Sequence, residues 1–136
     1  MRSEINQQAI LKSPMTIQKI YTKGKSIFTE RIEKWCKEKG MEFVLLEKED
    51  KTFDEIDSLV IFHEDHNLDD ANIEIRDNFE KKLKPIHKID INGTKQVITS
   101  HFILWVERNS SKNLLFLGND HLLDNPNTDL LLDKMA

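Results

Sequence analysis

The chain has one cysteine, one tyrosine, three prolines and four glycines in 136 residues. Each scarcity removes a class of protein. A lone Cys36 cannot close an internal disulfide, and a cysteine-poor chain fits a reducing cytoplasm. So few prolines and glycines exclude a collagen-like or low-complexity chain. Apolar runs such as 102–106 (FILWV) and 114–117 (LLFL) stop far short of the ~20 residues a membrane helix needs. Residues 1–14, MRSEINQQAILKSP, lack the apolar centre of a secretory leader. The expectation is a cytoplasmic protein that does not enter the membrane. Positive charge is not in excess either: 20 Lys and Arg face 24 Asp and Glu, a net charge of −4. Duplex nucleic acid is therefore disfavoured as the main partner, because phosphate backbones call for a basic face.

What is present reads as one α/β domain. Hydrophobic residues make up 38% and charged residues 32%. That is more polar than average, yet apolar enough to build a core at this length without a covalent staple. Residues 1–14 read as a polar lead-in, with Ala9, Ile10 and Leu11 available to pack on the body, and 15–136 as a single domain. Residues 15–22 (MTIQKIYT) alternate as a first strand, and 23–26 turn the chain. Residues 26–39 form a helix: Phe28, Ile32, Trp35 and Cys36 share one face, Ser26 suits the N-cap and Gly40 the left-handed stop. The run Phe43-Val44-Leu45-Leu46 within 41–47 suits a strand covered on both faces. A charged loop, 48–57, leads to a third strand at 58–63 (SLVIFH).

A second helix covers 71–83, with Ala71, Ile75, Phe79 and Leu83 at spacings of four. It ends at Lys84-Pro85, since the residue before proline avoids the helical region. Residues 86–91 form a fourth strand, closed by the turn pair Asn92-Gly93. Residues 94–100 read either as loop or as a short turn of helix. Residues 101–107 and 113–118 read as two strands of a hairpin across the polar turn 108–112, and Asn127 or Thr128 caps a terminal helix. Strand–helix alternation at this spacing predicts a small three-layer α/β sandwich with a mostly parallel sheet of five to six strands. The hairpin would add an antiparallel element on the C-terminal side. An α+β fold with more antiparallel pairing is the alternative.

In open α/β sheets, ligands lie outside the carboxyl ends of the strands, which singles out two loops. Gly24-Lys25-Ser26 opens a helix, whose free N–H groups suit a phosphate or a nucleotide. It falls short of a P-loop, because Lys19 stands where that motif has its first glycine. Otherwise Gly24 is a turn glycine and Ser26 a cap. The second loop carries His63, Asp65 and His66, with Asp69 and Asp70 beyond, side chains that suit zinc or another divalent metal. Otherwise it is a solvated acidic loop. Glu74, early in the second helix, is placed to hydrogen-bond a ribose; its plainer role is to offset the helix dipole. Cys36 reads as a buried structural thiol and Trp35 and Trp105 as core. Ser100-His101 forms no triad by adjacency alone.

Residues 58–91 resemble the Toll/interleukin-1 receptor (TIR)-like superfamily. The resemblance rests on the strand SLVIFH, on Glu74-Ile75 in the following helix, and on Lys84-Pro85-Ile86 opening the next strand. It implies a flavodoxin-like fold and, as in the enzymatic members, Glu74 as the glutamate of NAD cleavage. Three functions are then in view. The first is a non-enzymatic interaction or regulatory module, acting as a homodimer or with a protein partner; Leu130-Leu131-Leu132 point around a helix, so some cover the body while others meet the partner. The second is a nucleotide-binding or NAD-cleaving domain using Glu74, Gly24, Lys25 and Ser26. The third is a metal site at His63, Asp65 and His66. The residues imply no resident cofactor.

Overall fold

The structure is a computed structural model describing residues 16–47 and 53–135. The lead-in of residues 1–14, the start of the first strand at Met15, and residues 48–52 of the charged loop lie outside it. The elements run β1 (Lys19–Lys23), α1 (Ile27–Lys39), β2 (Glu42–Leu46), β3 (Ser58–His63), α2 (Asp70–Lys81), β4 (Ile86–Asp90), α3 (Lys95–Asn109), β5 (Asn113–Leu117), a 3-10 turn (Asp120–Asp124) and α4 (Pro126–Lys134). The five strands form one parallel sheet in the order β2-β1-β5-β3-β4. No helix among the described residues is long and apolar enough to cross a membrane.

The handedness of parallel crossovers fixes the layers. The connections through α1 and α3 run one way along the sheet and that through α2 runs the other, so right-handed crossovers place them on opposite faces. The core obeys this. On one face Phe28, Ile32 and Trp35 of α1, Phe102 and Val106 of α3, and Leu131 and Leu132 of α4 pack with Ile20, Val60, Phe62, Leu114 and Phe116. On the other, Phe79 of α2 and the loop residues Phe53 and Ile56 pack with Tyr21, Leu59, Ile61, Leu115 and Leu117. Strand residues alternate between the two cores, as the period of two requires.

The three-layer α/β sandwich is as the sequence predicts, and the antiparallel hairpin is not. Residues 95–109 are a helix, and β5 enters the sheet parallel to its neighbours β1 and β3. The reason is topological. β4 and β5 lie on either side of β3 and point the same way, so the chain must cross over between them, and such a crossover is usually helical. The β-branched and aromatic content of VITSHFILWV imitates a strand, but Ile98, Phe102 and Val106 fall on one helical face toward the core. The polar turn at 108–112 is this helix's end, with Ser110 left-handed at φ 50. The order also differs from the flavodoxin-like order 2-1-3-4-5, because the last strand is inserted between the first and the third.

One smaller expectation is corrected. β2 is not covered on both faces: it is an edge strand whose four apolar residues are half-buried. The leucine trio divides around its helix, with Leu131 and Leu132 fully buried and Leu130 exposed.

Candidate functional site

The helices after β1 and β3 lie on opposite faces, with β5 between those strands, so a crevice opens at the carboxyl end of the sheet. This is the switch-point geometry at which α/β folds bind ligands. An open cleft of about 400 Å³ lies on the α2 face of the sheet, beside the end of β1, lined by Lys23, Phe53, Asn72, Glu74, Ile75 and Asn78. Each is delivered by a local cause. Lys23 is the last residue of β1, and its Nζ stands 5.2 Å from the centroid of the Phe53 ring. Phe53 is held by Phe79 of α2 at 5.4 Å. α2 begins at Asp69, whose carboxylate accepts the Asn72 backbone N–H at 2.9 Å. That start puts Glu74, exposed at its side chain, on the helix face that borders the cleft. Asn78 borders it one turn on, and its side-chain oxygen is buried without a hydrogen-bond partner. The cleft combines a cation, a carboxylate, two amides and an aromatic face, the set that a ligand with a ring, hydroxyls and an anionic end would use.

Glu74 thus enters a cleft, beside the strand end that leads into Gly24-Lys25-Ser26. That loop is internally stapled. Gly24 is left-handed at φ 73, its N–H donates to Leu46 O at 2.9 Å, and its carbonyl accepts the Thr29 hydroxyl at 2.8 Å. Ser26 caps α1 as predicted, accepting the Thr29 N–H at 3.0 Å. The Phe28 N–H donates at 3.1 Å to Asp120, which stands 92 residues away in sequence. A carboxylate of the chain itself therefore sits where an anion would meet this helix dipole. Asp120→Asn keeps an acceptor there but removes its charge. It is expected to cost about 0.5–1 kcal/mol, read as a fall in denaturation midpoint.

His63, at the end of β3, is buried, and its Nδ1 accepts the His66 backbone N–H at 3.0 Å. The two rings stack at 4.6 Å. This contact holds Asp65 and His66 left-handed, at φ 54 and 64. Asp65 is exposed. Among the described residues no three His, Cys, Asp or Glu side chains converge to hold a metal ion. Neighbouring Glu64 instead accepts the side-chain amides of Asn92 and Asn125, at 3.1 and 3.0 Å. Ser100 and His101 are exposed on α3. Cys36 is buried, and burial pushes its thiol up to about 12, so the neutral thiol is favoured near neutral pH.

Sequence reasoning missed Asn119. Its side-chain oxygen accepts the Asp69 N–H at 3.1 Å and the Asn72 side-chain amide at 3.2 Å, tying the start of α2 to the end of β5. An asparagine directly after a strand's carboxyl end is a usable signal, but the hairpin reading removed β5 from the parallel sheet.

Burial lowers the pKa of His63, with His66 adding to the shift; burial likewise lowers that of His87, with His101 adding. A base with a depressed folded-state pKa binds fewer protons when native than when unfolded. Its stability contribution is then intact above the unfolded value of ~6.5 and lost as pH falls below it. Melts at pH 7.5, 6.5 and 5.5 are expected to show a falling Tm, with a shallower fall for His63→Gln.

No protein-family model and no curated protein matches the sequence. One solved structure does match, from Syntrophus aciditrophicus SB, provisionally named a molybdenum carrier protein. Its TM-score is 0.65 at 14% identity, over 88% of this chain and 92% of that one. The likeness is one of fold: an α/β domain similar over nearly the whole length.

Proposed function

We propose that the chain is a ligand-binding regulatory domain whose ligand is a nucleotide or a similar phosphorylated small molecule. The observation that carries this reading is the cleft between α2 and the end of β1, with Lys23 and Glu74 on its wall. In this reading Glu74 accepts from ribose hydroxyls, the ring packs toward Phe53 and Ile75, and the phosphate lies near Lys23, away from the α1 N-terminus that Asp120 occupies. The TIR-like resemblance supports the same glutamate and adds NAD as the ligand to try first. The fold-level neighbour's name adds molybdate, an oxyanion that a lysine and amide donors would also attract.

The test is a thermal melt with NAD, ATP, a cyclic dinucleotide, molybdate, zinc and manganese. A ligand at ~100 times its Kd stabilises by about 2.7 kcal/mol, several degrees for a domain of this size. A nucleotide is expected to raise Tm, and Glu74→Gln and Lys23→Gln each to remove at least half of that shift. Glu74 is exposed on the cleft wall outside the two cores, so the unliganded melt of Glu74→Gln should hardly move. Release of nicotinamide that is lost in Glu74→Gln would make the domain an NAD-cleaving enzyme. A response to zinc or manganese alone, abolished by His66→Ala, would favour the metal reading. A flat panel would overturn the ligand-binding reading.

A further inference from the structure

The β4 edge of the sheet carries a second surface that the cleft does not use. Two backbone hydrogen bonds fix which way β4 faces: Leu59 N–H donates to Pro85 O at 2.9 Å, and Ile91 N–H donates to His63 O at 3.0 Å. In a parallel ladder the N–H and C=O of one residue point the same way and alternate along the strand. Pro85, His87, Ile89 and Ile91 therefore serve β3. Ile86, Lys88 and Asp90 turn their backbone groups to the open edge, where no described strand pairs with them.

A groove of about 610 Å³ follows that edge, bordered by Leu83 and Ile86 on one side and Trp105 and Asn109 on the other. Leu83 is unusual. It ends α2 in the left-handed region at φ 58, a position that favours glycine, and it is 91% exposed. Trp105 is half-buried and stacks on His87 at 5.0 Å. The charge here opposes that of the whole molecule. Residues 80–88 (EKKLKPIHK) hold four lysines against one glutamate, in a chain of net charge −4. Lys81, Lys82 and Lys88 are exposed. Lys84 turns inward and donates to the Phe53 and Ile56 carbonyls at 2.6 and 2.7 Å.

We propose that this edge docks an extended acidic segment of a partner protein, added to the sheet as a sixth strand. The outward groups of Ile86 and Lys88 supply the main-chain hydrogen bonds, as in other strand-addition complexes. An added strand sends alternate side chains to opposite faces. Here one set meets Leu83 and Ile86, and the other meets Trp105 and His87. Acidic residues of the segment answer Lys81 and Lys88, while Lys82 already meets Asp54 at 3.9 Å. A second copy of this chain is a poor occupant, because antiparallel pairing of two β4 edges brings their basic 80–88 segments together, and a lysine in mid-edge discourages self-pairing.

The experiment is selection of a random dodecapeptide library on the full chain, followed by anisotropy titration of the enriched peptides. Acidic sequences with alternating apolar residues are expected. Lys88→Pro removes one outward N–H without touching the ladder to β3, a change that edge strands tolerate. Lys88→Pro and Lys88→Glu are each expected to weaken binding tenfold or more. Leu83→Gly relieves the left-handed backbone, so it should keep or raise Tm while also weakening binding. Neutral or basic winners, no winners, or affinities indifferent to both Lys88 variants would overturn the proposal. So would binding to phosphatidylglycerol vesicles with none to acidic peptides, which would make the patch a membrane contact.

Discussion

Trp35→Ala is expected to lower stability by about 3–5 kcal/mol, the range for deleting a large aromatic from a close-packed core. Against a typical total of 5–15 kcal/mol, that moves Tm by roughly 10–20 °C. The reasons are local. Trp35 is fully buried on α1, and its ring lies 5.6 Å from Phe116 of the central strand β5. Its indole N–H also donates to Leu132 O at 2.7 Å, so one side chain joins α1, the sheet and α4. Beside it, the largely buried Arg31 of α1 meets the exposed Asp129 of α4 at 2.6 Å and Asp133 at 3.6 Å, a second tie between the two helices. Trp35→Phe separates the two roles. It keeps an aromatic but leaves the Leu132 carbonyl without this donor, and should cost about 1–3 kcal/mol. Chemical denaturation of the three proteins reads both numbers. A Trp35→Phe protein as stable as the parent would show that the indole hydrogen bond contributes nothing.

Such residues show why much of this fold was legible. Ser26, Gly40 and the spacing of Phe28, Ile32 and Trp35 act locally, and local signals are what a sequence displays. The layers followed from alternation alone. The illegible parts depend on distant partners. FILWV reads as a strand until β4 and β5 are known to lie on either side of β3, and the same four-residue apolar look marks central β5 and edge β2. The site divides in the same way. Glu74 and the loop after β1 could be named from position in an α/β order. Asn119 carried a signal that the hairpin reading hid, whereas Asp120 and Phe53 carried none, because each acts on an element far from it in sequence. Asp120 in particular gives the α1 N-terminus a carboxylate from the other end of the chain.

Gly118→Ala tests whether that meeting point matters to binding. Gly118 follows β5 and precedes Asn119 and Asp120. A Cβ there would lie 2.5 Å from the Phe28 ring, with two further ring atoms at 2.8 Å. The ring cannot readily retreat: it is buried, it lies 5.9 Å from Phe62, and its own backbone N–H is held by Asp120. Forcing one methyl into such a site costs about 1–3 kcal/mol, several degrees in Tm. If the strain moves the chain at 118–120, it displaces Asn119 and with it the start of α2 that presents Asn72 and Glu74. The ligand-induced Tm shift should then shrink as well as the baseline Tm. The double variant Gly118→Ala, Phe28→Leu removes ring atoms that the methyl strikes, so its cost should be less than the sum of the two single costs. Recovery of both stability and ligand response in the double variant would show that the close approach of β5 to α1 sets the cleft. Recovery of stability alone would confine Gly118 to packing and leave binding to Lys23 and Glu74 themselves.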